Sequence, residues 1–153
     1  MEQRVDMNKL RSSPAGHSPP PYEIVEHTAD WAVRVRGENF TVLLHNAAVA
    51  MNMLLVGPET VTGREEVRRL SLSAYDRESM LVEWLGELAY LAETEGLIFS
   101  EYHFDEVTPE QVRVTITGGP APVLHKHIKA VTYHNLEVLE TENGLETTIV
   151  FDV

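Results

Sequence analysis

Residues 136–153 read LEVLETENGLETTIVFDV and contain the clearest structural signal in the chain. The pair Asn143-Gly144 separates Val138-Leu139 from residues 147–150 (TTIV), which are rich in β-branched side chains. Asn-Gly is preferred in the two-residue turns between antiparallel strands, because such turns need positive φ angles. We therefore predict a β-hairpin, with one strand over residues 136–140 and the other over residues 145–153.

Segments outward from this hairpin also show strand patterns. Residues 31–36 (WAVRVR) place Trp31, Val33 and Val35 at alternate positions, which is the two-residue period of a half-buried strand. Turns are predicted at Pro109 and at Gly118-Gly119-Pro120. The other predicted strands are residues 22–26, 97–107, 111–117 and 128–135, and residues 59–74 are predicted to be extended with Val67, Leu70 and Leu72 buried.

Two segments have the spacing of amphipathic helices. Asn39 is a favourable N-cap for a first helix over residues 40–54, and Gly57-Pro58 marks its end. A second helix is predicted from Asp76 to residue 94, and Gly86 within it costs about 1 kcal/mol relative to alanine, which suggests close packing there. The apolar stripes are Phe40, Leu43, Leu44, Ala47, Ala50, Met51 and Leu54 in the first helix, and Leu81, Leu85, Leu88 and Leu91 in the second.

The order of these elements predicts an α+β fold. Two helices among many antiparallel strands, without regular strand–helix alternation, do not fit a doubly wound sheet. A length of 153 residues and a hydrophobic share of 43% suit a single domain with one core. Residues 1–21 lack hydrophobic periodicity and end in Ser-Pro-Pro-Pro, so we interpret them as a flexible N-terminal tail. The domain, two helices packed on largely antiparallel β-sheet structure, is expected to cover residues 22–153.

Composition excludes several functional classes. The chain has no cysteine, which removes disulfides, thiolate catalysis and cysteine-based metal sites. No apolar run approaches the ~20 residues of a membrane span, and the charged N-terminal stretch is unlike a secretion signal, so we expect a cytoplasmic location. The formal net charge is -12, from 24 acidic and 12 basic residues, and there is no dense basic run. Direct nucleic-acid binding is therefore not expected, whereas a cation or a basic partner suits such a surface.

Acidic groups are the main chemical resource of the sequence, because the Walker, GxSxG, HExxH and paired CxxC motifs are missing. Asp152 and the α-carboxylate of Val153 place two anionic groups within one residue. Asp30 would join them if the last strand ran beside the strand that begins at Trp31. Such an all-oxygen site prefers calcium, magnesium or manganese to zinc. From spacing alone, the alternative is that Asp30 caps a turn and Asp152 is simply solvated.

Six sequence blocks, taken in order, resemble the archease family. The blocks are residues 27–30 (HTAD), 46–48 (NAA), 81–88 (LVEWLGEL), 94–100 (TEGLIFS), 128–134 (IKAVTYH) and 151–153 (FDV). The resemblance implies a protein that is not itself an enzyme but acts beside an RtcB-type RNA ligase in tRNA splicing or RNA repair. There it would promote guanylylation of the ligase and its multiple turnover.

The resemblance also implies roles for particular residues. It implies a divalent metal site at Asp30, Asp152 and Val153, with calcium as the expected ion and manganese or magnesium as alternatives. Lys129 would contact the ligase or its nucleotide, and His134 would belong to the same functional surface.

This sequence departs from the family pattern at Glu83 and Gly86, where aspartate and asparagine are common, and at Trp31. Glu83 and Glu87 lie one helical turn apart, and their like charges disfavour a helix by a few tenths of a kcal/mol unless a cation or partner compensates. They are candidates for assisting metal or partner binding, with a solvated helix face as the alternative.

Three other interpretations stay open at this point. His125, His127 and His134 would bind zinc if alternate strand positions brought them together, although no fourth ligand is evident. The acidic groups would also suit a metal-dependent hydrolase or phosphotransferase. The third interpretation is a chaperone-like structural module whose cation only fixes the C-terminus.

Overall fold

A computed structural model of the chain describes residues 19–26, 30–58 and 65–153. The predicted tail lies outside this part except for residues 19–21, and residues 27–29 and 59–64 also lie outside it. The strands are Tyr22–Glu26 (β1), Asp30–Gly37 (β2), Glu66–Ser73 (β3), Leu97–Val107 (β4), Gln111–Pro120 (β5), Ala130–Thr132 (β6), Leu139–Thr141 (β7) and Gly144–Asp152 (β8). The helices are Phe40–Val56 (α1) and Arg77–Glu95 (α2).

Among the described residues, five strands form an antiparallel sheet around β8. One edge of β8 pairs with β2, which pairs in turn with β1. The other edge of β8 pairs with β7 near its start and with β6 near its end. Val33, Ile149 and Phe151 fill the buried face of this sheet. The predicted hairpin at Asn143-Gly144 is confirmed, since β7 and β8 meet there, but β7 is shorter than the predicted strand over residues 136–140.

The second antiparallel sheet of the described residues has the order β3–β5–β4. The turn predicted at Gly118-Gly119-Pro120 is wrong, because β5 continues through these residues and pairs with β4 as far as Leu97. Gly118 permits this pairing: a Cβ atom at that position would lie 2.0 Å from the carbonyl oxygen of Ile98. The glycine therefore serves close approach of two backbones and not a change of direction.

Two further strand predictions need correction. Leu72 of β3 is buried as predicted, but Leu70 is half-buried and Val67 is 56% exposed. Since strand side chains alternate, Val67 shares the outer face with Arg69, and Leu72 belongs to the inner one. β6 is shorter than the predicted strand over residues 128–135, because the chain turns after it with Asn135 at a φ of 51°.

The two helices contact both sheets and begin where the sequence predicts. Asn39 caps α1 by accepting a hydrogen bond from the backbone N–H of Val42 at 2.9 Å. Asp76 caps α2, and its hydrogen bonds with Ser79 hold the pKa of the Asp76 carboxyl below its ordinary value. Neither of these helices has the length and apolar character that a membrane span requires.

A buried hydrogen bond joins the helices to each other. The indole Nε1–H of Trp84, which is fully buried in α2, donates to the carbonyl oxygen of Leu44 in α1 at 2.8 Å. The Trp84 ring also makes an edge contact with Tyr102 of β4, at 5.4 Å between ring centroids. The polar end of a core tryptophan is thus satisfied while its ring links α1, α2 and the second sheet.

Gly86 has no packing reason for being a glycine. It lies in the middle of α2, and an added Cβ atom would meet nothing within 4 Å. The close packing suggested from the sequence is therefore wrong. The helix bears the conformational cost of this glycine without any contact in the described residues that requires it.

Two glycine-to-alanine substitutions are expected to act in opposite directions. Gly86→Ala should raise the free energy of unfolding by about 0.5–1 kcal/mol, because it removes the helix penalty at no steric cost. Gly118→Ala should lower it by about 1–3 kcal/mol, because the added methyl group overpacks the β4–β5 contact. Urea unfolding followed by circular dichroism measures both changes. Stabilisation by both variants would contradict the close approach at Gly118.

Candidate functional site

Asp30 and Asp152 lie directly opposite each other, where β2 begins and β8 ends. Opposite residues of an antiparallel pair have Cβ atoms about 4.5–5.5 Å apart and project from the same face. Trp31 and Phe151, the next pair, project from the other face, where Phe151 is fully buried. The two aspartates therefore share the outer face of the sheet, and we call them the carboxylate pair.

The main chain around Lys129 lies beside this pair. Ala130 of β6 is opposite Asp152 on the other edge of β8, and the backbone N–H of Lys129 donates to the carbonyl oxygen of Asp152 at 2.7 Å. Lys129 and Asp152 are exposed, and Val153 is half-buried. Three segments that are distant in sequence thus meet at one corner of the sheet.

The chemistry of the carboxylate pair suits a hard cation. No Lys or Arg side chain in the described part of the chain forms an ion pair with either aspartate. The nearby arginines of β2 are engaged elsewhere: Arg34 pairs with Glu23 at 2.8 Å, and Arg36 pairs with Glu146 at 3.1 Å. An all-oxygen donor set of this kind fits calcium, magnesium or manganese. Within residues 19–26, 30–58 and 65–153, no third His, Asp or Glu side chain joins the pair to make a group of three.

The three histidines do not converge, so the zinc interpretation is wrong for these residues. His125 and His127 lie in the connection between β5 and β6 and not on a strand. The backbone N–H of His125 donates to the carbonyl oxygen of Leu55 at 2.6 Å, and Nδ1 of His127 lies 3.0 Å from Oε1 of Glu93. His134 is exposed in the turn that follows β6.

Glu83 and Glu87 of α2 do not join the carboxylate pair in a group of three side chains within the described residues. Glu83 is exposed and Glu87 is half-buried, and neither side chain makes an ion pair or hydrogen bond within the described residues. Trp31, another departure from the family pattern, instead has a local contact: Nζ of Lys126 lies 4.1 Å from the centroid of its ring. This cation–π contact attaches the β5–β6 connection to β2 next to Asp30.

Comparison with known proteins identifies the family. The sequence model of the Archease protein family (MTH1598/TM1083) matches residues 22–153. The chain belongs to the archease family. Protein archease of Methanosarcina mazei is 36% identical over 140 residues, which is 86% of this chain and 95% of that protein. Protein archease of Methanopyrus kandleri is 36% identical over 131 residues, covering 81% and 92% of the two chains.

Solved archease structures share the fold. The solution structure of Methanobacterium thermoautotrophicum protein 1598 aligns with a TM-score of 0.71 at 26% identity, covering 87% of this chain and 99% of that one. The crystal structure of an archease from Thermotoga maritima, described as a possible chaperone, aligns with a TM-score of 0.58 at 24% identity and covers 90% and 98%. The predicted α+β archease fold is confirmed.

Two glutamates that hold the chain beyond β5 were not found from the sequence. Glu93 and Glu78 of α2 each accept a hydrogen bond from a backbone N–H beyond β5, that of Ile128 at 3.0 Å and that of Val138 at 2.7 Å. The partners are 35 and 60 residues away along the chain. On an amphipathic helix, glutamates at such positions follow the same sequence pattern as solvated glutamates. The local sequence therefore does not distinguish the two that bind a distant backbone N–H from those that face water.

In metal-free buffer, Asp152→Asn is expected to stabilise the fold by about 0.2–1 kcal/mol, because like charges directly opposite on paired strands are destabilising. The gain should shrink as salt is added, since ions screen exposed charges. Urea unfolding in EDTA at low and high ionic strength measures the effect. Asp105→Asn is the matched control. Oδ1 of Asp105 in β4 lies 3.2 Å from Nε2 of His103, so this carboxylate contacts an imidazole and not a second carboxylate. Destabilisation by Asp152→Asn at every salt concentration would show that the carboxylate pair does not repel.

Proposed function

We propose that the chain is a metal-binding protein cofactor of an RtcB-type RNA ligase, which promotes guanylylation and multiple turnover of that ligase in tRNA splicing or RNA repair in the cytoplasm. Membership of the archease family supports the partner. The observation that carries the proposal is the carboxylate pair, since the aspartates of the first and last resemblance blocks are opposite residues on neighbouring strands.

Asp30, Asp152 and the terminal carboxylate of Val153 would hold the ion. Two opposed carboxylates without a cationic partner repel each other, and a divalent cation removes that repulsion. Calcium takes six to eight oxygen ligands, so these groups would leave coordination positions for water or for the partner. When bound, the ion supplies positive charge and a shared coordination sphere at an exposed corner of the protein. Calcium is the ion we propose, with manganese or magnesium as alternatives.

The chemistry of RNA joining would take place on the ligase. Lys129 is exposed beside the carboxylate pair and would contact the ligase or its nucleotide, and His134 would lie on the same surface. The net charge of -12 favours a basic docking partner and disfavours stable binding of RNA by this chain alone. Glu83 and Glu87 are further candidates for that contact, because they have no partner within the described residues.

Guanylylation of the matched ligase, measured with GTP and manganese in the presence and absence of this protein, tests the proposal. The wild-type chain should increase the guanylylated fraction, and Asp30→Asn, Asp152→Asn and Lys129→Ala should each reduce the stimulation about tenfold or more, because losing one partner of a charged contact costs roughly 1.4 kcal/mol or more. Asp105→Asn, on the other sheet, is the control and should stimulate as the wild type does.

The other outcomes of this assay distinguish the alternatives. No stimulation by the wild-type chain would overturn the proposed function. Phosphoester turnover by the purified chain alone would favour the metal-dependent hydrolase or phosphotransferase. If Asp30→Asn lowers the melting temperature in calcium but stimulates the ligase normally at a temperature where it is folded, the cation has only the structural role of the chaperone-like interpretation.

A short C-terminal extension tests Val153 separately. Adding two glycines moves the terminal carboxylate away from Asp152 while keeping both aspartates, so calcium binding should weaken about tenfold on the loss of one charged ligand. Isothermal titration calorimetry with calcium gives the dissociation constant. The same extension with an added C-terminal amide shows whether any residual affinity comes from the displaced carboxylate. Unchanged affinity in both proteins would remove Val153 from the ligand set.

A further inference from the structure

The segment that carries Lys129 and His134 is attached to α2 at both ends. This segment, residues 128–138, is called the strap below. Its terminal residues Ile128 and Val138 are 4% and 6% exposed, whereas every residue between them is exposed or half-buried. The strap is therefore fully buried only at its two ends, although Val131 and Leu136 between them also pack partly against the core.

Glu93 holds the first end. Its Oε2 accepts a hydrogen bond from the backbone N–H of Ile128 at 3.0 Å, and its Oε1 lies 3.0 Å from Nδ1 of His127. The Glu93 side chain is 28% exposed, so the carboxylate is partly withdrawn from water. Both of its oxygens are thus engaged, one with His127 just before the strap and the other with Ile128, which precedes Lys129.

Glu78 holds the second end. Its Oε2 accepts a hydrogen bond from the backbone N–H of Val138 at 2.7 Å. Hydrogen bonds to a charged acceptor are roughly twice as strong as neutral ones, and a carboxylate in the first turn of a helix is also favoured by the helix dipole. Glu78 occupies that first turn. The same helix therefore fixes both ends of the strap.

Chain length alone would not hold the strap in place. Glu78 and Glu93 are separated by about 22 Å along the helix axis, at 1.5 Å per residue. From residue 128 to residue 138 an extended chain would reach about 33–36 Å. The excess is taken up by the turn at Tyr133–Leu136, where the N–H of Leu136 donates to the carbonyl oxygen of Tyr133 at 3.0 Å. With this slack, the position of the strap depends on how its ends are attached.

Between its ends the strap is attached to the sheet by a short strand and by two side-chain hydrogen bonds. Thr132 Oγ1 donates to the carbonyl oxygen of Val150 at 3.0 Å, and Thr147 Oγ1 donates to the carbonyl oxygen of Glu137 at 2.8 Å. β6 contributes only Ala130, Val131 and Thr132 to pairing with β8, and just before them the Lys129 N–H donates to the carbonyl oxygen of Asp152. A three-residue strand at a sheet edge is a weak attachment. If the Ile128 end moved, the bond to Asp152 and the location of Lys129 would move with it.

We propose that Glu93 and Glu78 are positioning residues, which fix the strap along α2 and thereby hold Lys129 and the main chain beside the carboxylate pair where the site requires them. This inference rests on the proposed function for the role of Lys129. Glu93 binds the end of the strap that is next to Lys129, so it has the larger effect on the position of Lys129. Glu78 fixes the far end and limits how far the Tyr133 turn moves.

The test compares methionine and glutamine at each position. Glu93→Met and Glu78→Met keep the length and helix propensity of the side chain but remove its acceptor, whereas Glu93→Gln and Glu78→Gln retain one acceptor oxygen. Glu110→Met, in the β4–β5 connection, is the control for loss of an exposed carboxylate. Amide hydrogen exchange of the strap, calcium calorimetry and ligase guanylylation are measured for all five variants with the full chain.

Glu93→Met is expected to speed exchange of the Ile128 and Lys129 amides about tenfold or more, as loss of a charged hydrogen bond implies. Glu78→Met should do the same for Val138. Both should raise the concentration of protein needed for half-maximal guanylylation, with the maximal stimulation unchanged. The glutamine variants should recover most of each effect, which a general loss of stability would not do. Glu110→Met should behave as the wild type.

Two results would overturn the positioning role. One is wild-type exchange of the Ile128, Lys129 and Val138 amides in both methionine variants. The other is faster exchange of these amides with unchanged half-maximal guanylylation. If a methionine variant does not fold, the glutamine variant at that position becomes the test of the positioning role. It must then retain both the slow exchange of the strap amides and the stimulation of guanylylation. If the wild-type chain fails to stimulate the ligase, the proposed function fails on its own, and the Lys129 amide still reports whether Glu93 holds the strap against Asp152.

Discussion

The register of β2 against β8 is the constraint on which the rest of the structure depends. Val33, Ile149 and Phe151 are buried on one face of this pair, and Asp30 and Asp152 lie on the other. A shift by one residue would exchange the two faces. Burial of each large apolar side chain contributes about 1.5–3 kcal/mol, whereas repulsion between opposite like charges costs about 1 kcal/mol at most. Core packing therefore determines where the two carboxylates lie, and their repulsion is too small to move them.

Ion pairs and unpaired carboxylates lie toward different ends of the outer face of the same sheet. Toward the far ends of the strands, Arg36 pairs with Glu146 at 3.1 Å, and Arg34 pairs with Glu23 at 2.8 Å. At the Asp30 end, the described residues supply no cationic side chain to the carboxylates. A chain with twice as many acidic as basic residues cannot pair every carboxylate internally. What distinguishes this corner is that two unpaired carboxylates are held as direct neighbours by backbone pairing.

The sequence predicts the features that depend on neighbouring residues and misses those that depend on distant ones. The cap at Asn39, the start of the second helix at Asp76 and the hairpin at Asn143-Gly144 follow from local chemistry, and the structure confirms them, with Asp76 as the N-cap of α2. Gly118 was mistaken for a turn because only the approach of β4 explains it. The meeting of Asp30 with Asp152 was expected only if the first and last strands were neighbours, and hydrophobic periodicity does not specify strand order. No sequence pattern indicated the contacts of Glu78 and Glu93. Glu78 joins α2 to a strap residue 60 positions away, and Glu93 joins it to one 35 positions away.

Two separate sets of contacts act on Asp152. Its side chain is placed opposite Asp30 by the packing of the first sheet, and its carbonyl oxygen receives the N–H of Lys129, whose strap is attached to α2. The second sheet contributes indirectly, because Trp84 joins α2 both to Tyr102 of β4 and to the Leu44 carbonyl of α1. A displacement of α2 would therefore alter the strap side of the corner without altering the register of β2 and β8. The carboxylates and the lysine are positioned by different parts of one core, and Asp152 is the residue at which those parts meet.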